Sequence, residues 1–443
     1  MTPATSASSL SPDNFQEPEP WRLTPRQIAV RLFFTCWLIF SLHFATNIVR
    51  EVYLALSIGE HLSFRVDEYA NMHPDLFEKP GYGWHIGNNP GVSMLAAIPY
   101  GIASPFINVI VEKVQESRKA SGQAEPPQYN SPWPMAKRFY VEAWHRGFDV
   151  KFGLGAFVMQ VFCMAPSSAF GVVVVFFTLR RIIFSDKMAL WMAIVYAFGT
   201  PVFFRTGYLN HNLMLGHIAF LGFLAMWNPA RAEWPSSTLR FFVAGMTGGL
   251  ALLFDYSGVV LLIGLFCYGV VKRWIEYSKT DAFRHALWYL GGTLGPVGLL
   301  WLYQWQSFGH PFFPGQHWMP PVEWIERGYQ GFGLPQLELL WALAFDYRFG
   351  LFVSGPLFLL ALGAPFVCRK GNRLFPWLEL TAMLSFFLVL WVFFSGSNYT
   401  RLQFNTGIRY LTPLFPFLFI PAAFVLVRLP SPVVLFVSVV SVA

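Results

Sequence analysis

The sequence predicts an all-α polytopic membrane protein of about eleven transmembrane helices, with a large first external loop that carries interfacial helices. Three observations predict it. Apolar residues make up 55% of the 443-residue chain and charged residues only 12%, whereas a soluble domain carries roughly 25% charge. Phe (47), Trp (17) and Tyr (17) are too abundant for a disordered chain. Apolar runs long enough to cross a bilayer alternate with short polar gaps. The net charge of +7 fits basic loop anchoring in a membrane protein, and no nucleic-acid partner is expected. Cys36, Cys163, Cys267 and Cys368 sit in or beside apolar runs without metal-ligand spacing. They read as buried small hydrophobes, not as a disulfide framework or a zinc site.

Residues 1–28 form a polar, Pro-rich tail expected in the cytoplasm, and residues 29–443 form the transmembrane domain. The run from Ile28 to Val49 reads as an anchor, because no small-residue cleavage site follows it. Basic residues then mark the cytoplasmic gaps: Arg180, Arg181 and Lys187; Arg231 and Arg240; Lys272, Arg273, Lys279 and Arg284; Arg369, Lys370 and Arg373. That leaves residues 50–150, 205–212, about 255, 306–337 and 396–408 on the external side. Residues 241–271 have basic residues at both ends, so they predict two short spans with the turn Asp255-Tyr256-Ser257-Gly258 between them. Such a turn dips below the outer headgroups and must be buried in protein or line a wet cavity. Val433–Ala443 is too short to cross, so the last helix is expected to be cut short at Ala443.

The external face holds the unusual chemistry. Val49, Val52, Tyr53 and Leu56 form a stripe at helical spacing, with Arg50, Glu51 and Glu60 off it, which predicts a helix lying on the outer leaflet. Gln115–Pro134 reads as a flexible excursion. Asp67 and Glu68 precede a Gly/Pro/Asn-rich stretch that contains His85 and Asn89. A carboxylate buried there, beside apolar lipid, would have a raised pKa suited to general-base work. The same pair would equally serve as the start of a solvated helix. Arg205 and Arg409 stand at the mouths of apolar helices, where an unpaired cation is costly, and they point to an anionic ligand such as phosphate. A local alternative exists for each: Arg409 paired with Asp67, Glu68 or a lipid headgroup, and Arg348 paired with Asp346. His310 and His317 read as turn residues, and the Asn398-Tyr-Thr400 triplet carries no weight.

The order of these features resembles the membrane-embedded glycosyltransferases of the GT-C type, especially the protein-O-mannosyltransferase and aminoarabinose-transferase-like branch. The resemblance runs through Asp67-Glu68-Tyr69 and Asn89-Pro90-Gly91-Val-Ser-Met-Leu-Ala-Ala-Ile-Pro99-Tyr100, then Tyr196-Ala-Phe-Gly-Thr-Pro201 with His211 soon after. Gly248-Gly-Leu-Ala-Leu-Leu-Phe-Asp255-Tyr, Ser307-Phe-Gly-His-Pro311, Arg348-Phe-Gly350 and Gly407-Ile-Arg409-Tyr-Leu-Thr-Pro413 complete it. It implies an enzyme of the inner or plasma membrane that takes a sugar from a polyprenyl-phosphate-linked donor. The acceptor is a lipid, polysaccharide or protein on the external, periplasmic face. By resemblance Asp67 is the base with Glu68 beside it; Arg409, Arg205 and Arg348 bind the donor phosphate; and His85, Asn89, His211, Asp255 and Tyr410 line the cavity. No metal ligand set is implied; a divalent metal stays an open option. Two departures stand out: Lys79-Pro-Gly-Tyr-Gly-Trp-His85 interrupts the first loop, and an insert of roughly 40 residues follows Tyr100. The competing classes are a transporter or lipid flippase, a polyprenyl-linked polysaccharide ligase or polymerase, and a catalytically dead scaffold. A transporter would carry ionisable residues at mid-span, whereas here they gather at the external rim.

Overall fold

The computed structural model describes residues 23–442 apart from 46, 124, 131–133, 184, 230–232, 321–327, 329–330, 369–374 and 406. The first 22 residues of the predicted tail and the side markers Arg231, Arg369, Lys370 and Arg373 lie outside the described residues, as does Ala443. Fifteen helices matter here. They are α1 Pro25–Leu42, α2 Arg50–His61, α3 Gly91–Ala120, α4 Pro134–His145, α5 Asp149–Ile183, α6 Asp186–Phe198, α7 His211–Trp227 and α8 Ser237–Phe254. After these come α9 Gly258–Glu276, α10 Lys279–Phe308, α11 Leu337–Phe345, α12 Pro356–Val367, α13 Trp377–Ser395, α14 Phe415–Leu426 and α15 Ser431–Val442. The strands β1 Leu76–Lys79 and β2 Gly83–Ile86 form one antiparallel hairpin, with Leu76 opposite Ile86.

Among the described residues, five helices are long and apolar enough to cross a bilayer: α3, α5, α8, α9 and α13. α7, α12, α14 and α15 are apolar but shorter. The inclusion of α3 bears on the sidedness read from the sequence, which kept Gly91–Ala120 inside the external loop. Its outward stripe of Ile98, Ile102, Phe106 and Ile110 is exposed and apolar, a surface suited to lipid.

Local signals set the helix ends. Thr24 caps α1 with a reciprocal Gln27 contact, and Pro25 sits in the first turn, where its missing N–H costs nothing. α1 then stops at Leu42, short of the predicted Val49. α5 carries an extra residue in a π turn at Gln160–Met164, and the Gln160 side chain uses that bulge to donate to the Phe40 and Thr206 carbonyls (2.7 and 3.2 Å). The predicted break in residues 241–271 is present: α8 ends at Phe254 and α9 starts at Gly258. Asp255 Oδ1 accepts from the backbone N–H and hydroxyl of Ser257 (2.8 and 2.6 Å), which closes the turn. Both helices are longer than predicted, at 18 and 19 residues, because α8 begins at Ser237 and α9 continues to Glu276.

The core follows from close helix approach. A Cβ on Gly245 would run into the Tyr289 carbonyl and one on Gly292 into that of Phe242, so α8 and α10 pack nearly backbone to backbone. α14 is buried at every position from Phe415 to Leu426, as an all-apolar helix should be.

One expectation about the first loop is overturned. α2 does form, but Glu51, Leu54 and Ala55 are as buried as the stripe residues Val52, Tyr53 and Leu56. From Glu51 to Ser57 the helix is therefore walled in on all sides, and this part does not lie on the outer leaflet. Gly59 allows this, because a Cβ there would stand 2.7 Å from Tyr100 Cδ1 of α3. The excursion after α3 has a pinned base: Arg118 pairs with Asp149 through two bonds (3.0 and 2.8 Å), and Gln115 donates to the Gly147 carbonyl (3.1 Å).

Candidate active site

The first turn of α2 points its charged residues inward, toward the start of α7, the α8–α9 turn and the 396–410 segment. Two adjoining pockets, the lobes of the site, lie there and share Arg50, Asp75 and Arg409 in their walls. The smaller lobe, about 140 Å³, is polar and is lined by Glu51, His73, Tyr208, Asn210, His211 and Asn212 among others. The larger, about 420 Å³, takes Asn88, Asp255 and Tyr256 on one side and apolar residues such as Leu300, Trp301, Phe312 and Phe394 on the other. The Tyr256 hydroxyl accepts from Gln304 Nε2 (2.9 Å) and from the Gly315 N–H (3.0 Å), which holds the 309–319 loop over this lobe.

Glu51 is the most enclosed acid of the site. Its Oε1 receives Asn88 Nδ2 (2.7 Å), His211 Nδ1 (2.8 Å) and Arg50 Nε (3.3 Å). Burial alone would push this carboxyl up, but the charges of His211 and Arg50 hold it well below the usual carboxylate range. His211 turns its other nitrogen to Asp255 Oδ2 (3.3 Å), so one imidazole joins two carboxylates. Arg50 reaches Asp75 at 2.5 Å. Burial would also raise Asp75, and Arg50, with His73 and Arg409, keeps it low. The Arg409 guanidinium lies over Tyr410 (5.3 Å to the ring centroid), and among the described residues no carboxylate pairs with it.

The expected site residues divide in two. His211, Asp255, Arg409 and Tyr410 meet around the cavity although they come from three separate segments. Arg205 is fully buried one layer behind, bonded to the Tyr208 hydroxyl that lines the small lobe. Asn89 braces the wall by donating to the Leu252 carbonyl (2.5 Å). The rest lie elsewhere. Asp67 is spent on Arg65 (2.6 Å) and on the Trp84 N–H (2.7 Å). Glu68 stands near Lys151 (3.5 Å) on a separate outer pocket. His85 is buried between the carbonyls of Phe64 and Tyr82 (3.2 Å each). Arg348 closes on its neighbour Asp346 (2.9 Å), the local pairing weighed against a phosphate role.

Sequence reasoning missed Arg50, Glu51 and Asp75. The signal was the unbroken apolar run Val52–Leu56, which leaves α2 no polar face to turn to water. An Arg-Glu pair heading such a helix has to be buried with it.

Glu60, His61 and Glu68 bring three ligand atoms within 4.8 Å of one another. Lys151 already sits 2.7 Å from Glu60, so the local charge is met by an ammonium and the group fits a metal poorly.

No curated protein and no solved structure matches the chain. The family model described as dolichyl-phosphate-mannose-protein mannosyltransferase matches residues 84–294. That stretch contains Asn88, His211 and Asp255, while Glu51, Asp75 and Arg409 come from outside it. Over that stretch, just under half of its length, the chain matches a glycosyltransferase family of the GT-C type, which supports a glycosyltransferase set among membrane-spanning helices.

Proposed function

We propose that the two-lobed cavity transfers a sugar from a polyprenyl-phosphate donor to an acceptor hydroxyl on the external face, with Glu51 as the base. The observation that carries this reading is the meeting of Arg409, which pairs with no carboxylate among the described residues, with an enclosed carboxylate, Glu51, where an apolar lobe joins a polar one. The large lobe suits the first units of a prenyl chain and the small one suits hydroxylated groups, so the phosphate would rest at the junction by Arg409 and Arg50. The acceptor is a hydroxyl on a lipid, polysaccharide or protein; the description of the matched family favours protein.

The chemistry balances without further reactants. Among the described residues the contacts made to the Glu51 carboxylate fall on Oε1, which leaves Oε2 for the acceptor. Oε2 takes the hydroxyl proton as the acceptor oxygen bonds to the anomeric carbon. The bond from that carbon to the phosphate oxygen breaks, and its electron pair stays on the phosphate opposite Arg409. Asp67 and Glu68, the acids expected from the sequence, do not line either lobe.

The test is transfer of labelled sugar from a polyprenyl-phosphate donor in membranes holding the wild type, Glu51→Gln or Asp67→Asn. Loss in Glu51→Gln with transfer retained in Asp67→Asn is expected. The reverse pattern would return the base to the first-loop pair, and the absence of lipid-dependent transfer by the wild type would remove the reading altogether.

A further inference from the structure

The Glu51–His211–Asp255 row has a property that neither lobe explains. His211 lies between two carboxylates, Nδ1 at 2.8 Å from Glu51 Oε1 and Nε2 at 3.3 Å from Asp255 Oδ2. Carboxylate oxygens only accept, so a neutral imidazole would turn a lone pair on one of them. Asn212 is the apparent objection, since its Nδ2 is placed 3.0 Å from His211 Nε2 as a donor. Asn212 Oδ1, however, is buried with no partner among the described residues. Turning that amide over puts Oδ1 against Nε2, where it accepts. Asp255 is itself fixed by the Ser257 turn, so its free oxygen cannot swing away.

Charge across the cavity gives the same answer. The acids Glu51, Asp75 and Asp255 face Arg50 and Arg409, with His73 and Tyr410 adjoining. A protonated His211 brings the two signs level before an anionic donor arrives.

We propose that His211 is a positioning residue held as an imidazolium between Glu51 and Asp255. This rests on Glu51 being the base. The imidazolium fixes Oε1 so that Oε2 faces the acceptor. When Oε2 takes the acceptor proton, Glu51 loses its charge and Asp255 alone remains as the counter-ion of His211. Without Asp255 the buried cation would be stranded at that moment, the costliest point in the cycle.

The experiment compares pH profiles of label transfer from polyprenyl-phosphate mannose to membrane acceptors. Removing the cation in His211→Gln makes Glu51 easier to protonate, so the acid limb moves to higher pH by at least about one unit. Asp255→Asn makes the imidazolium easier to lose, so the alkaline limb moves to lower pH while the acid limb stays. Equal loss at every pH in both variants would reduce the row to a structural brace and overturn the proposal. Full transfer by Glu51→Gln would instead remove the base assignment, a separate failure. A readout independent of activity is the nitrogen NMR of ¹⁵N-histidine protein, with His211 assigned by subtracting the His211→Gln spectrum. Both ring nitrogens protonated at neutral pH, and one of them bare in Asp255→Asn, is the expected result; a neutral His211 in the wild type overturns the proposal.

Discussion

The side-chain amide of Asn89 donates to the backbone carbonyl of Leu252 at 2.5 Å, tying the head of α3 to the last turn of α8. Carbonyls in a helix's last turn have no partner within the helix, so this bond satisfies a group that would otherwise be buried bare. Gly91 makes the approach possible, since a Cβ there would stand 2.6 Å from Phe254 Cδ1. The two segments on either side of the bond supply Asn88 and Asp255 to one cavity wall. Asn89→Ala should therefore cost about 1–3 kcal/mol, the penalty of a stranded buried acceptor. Thermal unfolding in detergent would show it as a lower midpoint, and an unchanged midpoint would mean the bond contributes nothing.

Arg409 is expected to act mainly on the leaving phosphate. Arg409→Ala should lower kcat/KM for the lipid donor about 100-fold, equivalent to about 2.7 kcal/mol. Arg409→Lys should recover only part of that, because an ammonium cannot present two parallel donors. Equal activity in the two variants would count against contact with a phosphate.

Arg348 gives the opposite expectation. It is exposed and its guanidinium already grips Asp346 through two contacts of 3.1 and 2.9 Å. Exposed pairs of this kind contribute little, so Arg348→Ala should leave transfer within about twofold of the wild type. A large loss, measured in the same membrane assay, would restore Arg348 to the donor site.

Acid should loosen the cavity. Glu51 and Asp75 are both held below their ordinary range, Glu51 despite its burial by His211 and Arg50, and Asp75 despite its burial by Arg50. Groups with lowered pKa stabilise the fold fully above their unfolded values, about 4, and lose that contribution as pH falls through the depressed native values. Unfolding midpoints should thus drop below about pH 4. Asp75→Asn should show a shallower acid dependence, since one of the two linked groups is gone; an identical slope would contradict the coupling.

Much of this was legible in the residues because membrane topology is written in composition. The basic ends of residues 241–271 forced a break at Asp255, and the break is where the chain turns. The same reasoning put His211, Asp255 and Arg409 at one end of the bundle, and the cavity collects them. Periodicity failed at α2. A stripe of Val52, Tyr53 and Leu56 implies an opposite face, but Leu54 and Ala55 on that face are apolar too, and packing buried the helix on all sides from Glu51 to Ser57. Asp67 lies away from the cavity for a related reason. Adjacency to a Gly-rich turn says that an acid is near the surface, not which way it faces, and its carboxylate turned to the Trp84 N–H of β2. Long-range pairings such as Glu51 with His211 leave no local trace.

The paired hydrogen bonds from Arg118 to Asp149 bear on how such a chain changes over time. Residues between those two leave and re-enter the body of the protein at one clamped point, and the irregular stretch that follows α3 begins with Gly122 facing open space. Closing a longer loop on a fixed base costs only about 0.6 kcal/mol for each doubling of length. New material could be spliced in at this place, tried against new acceptors and discarded, while the carboxylates and arginines that carry the reaction keep their positions.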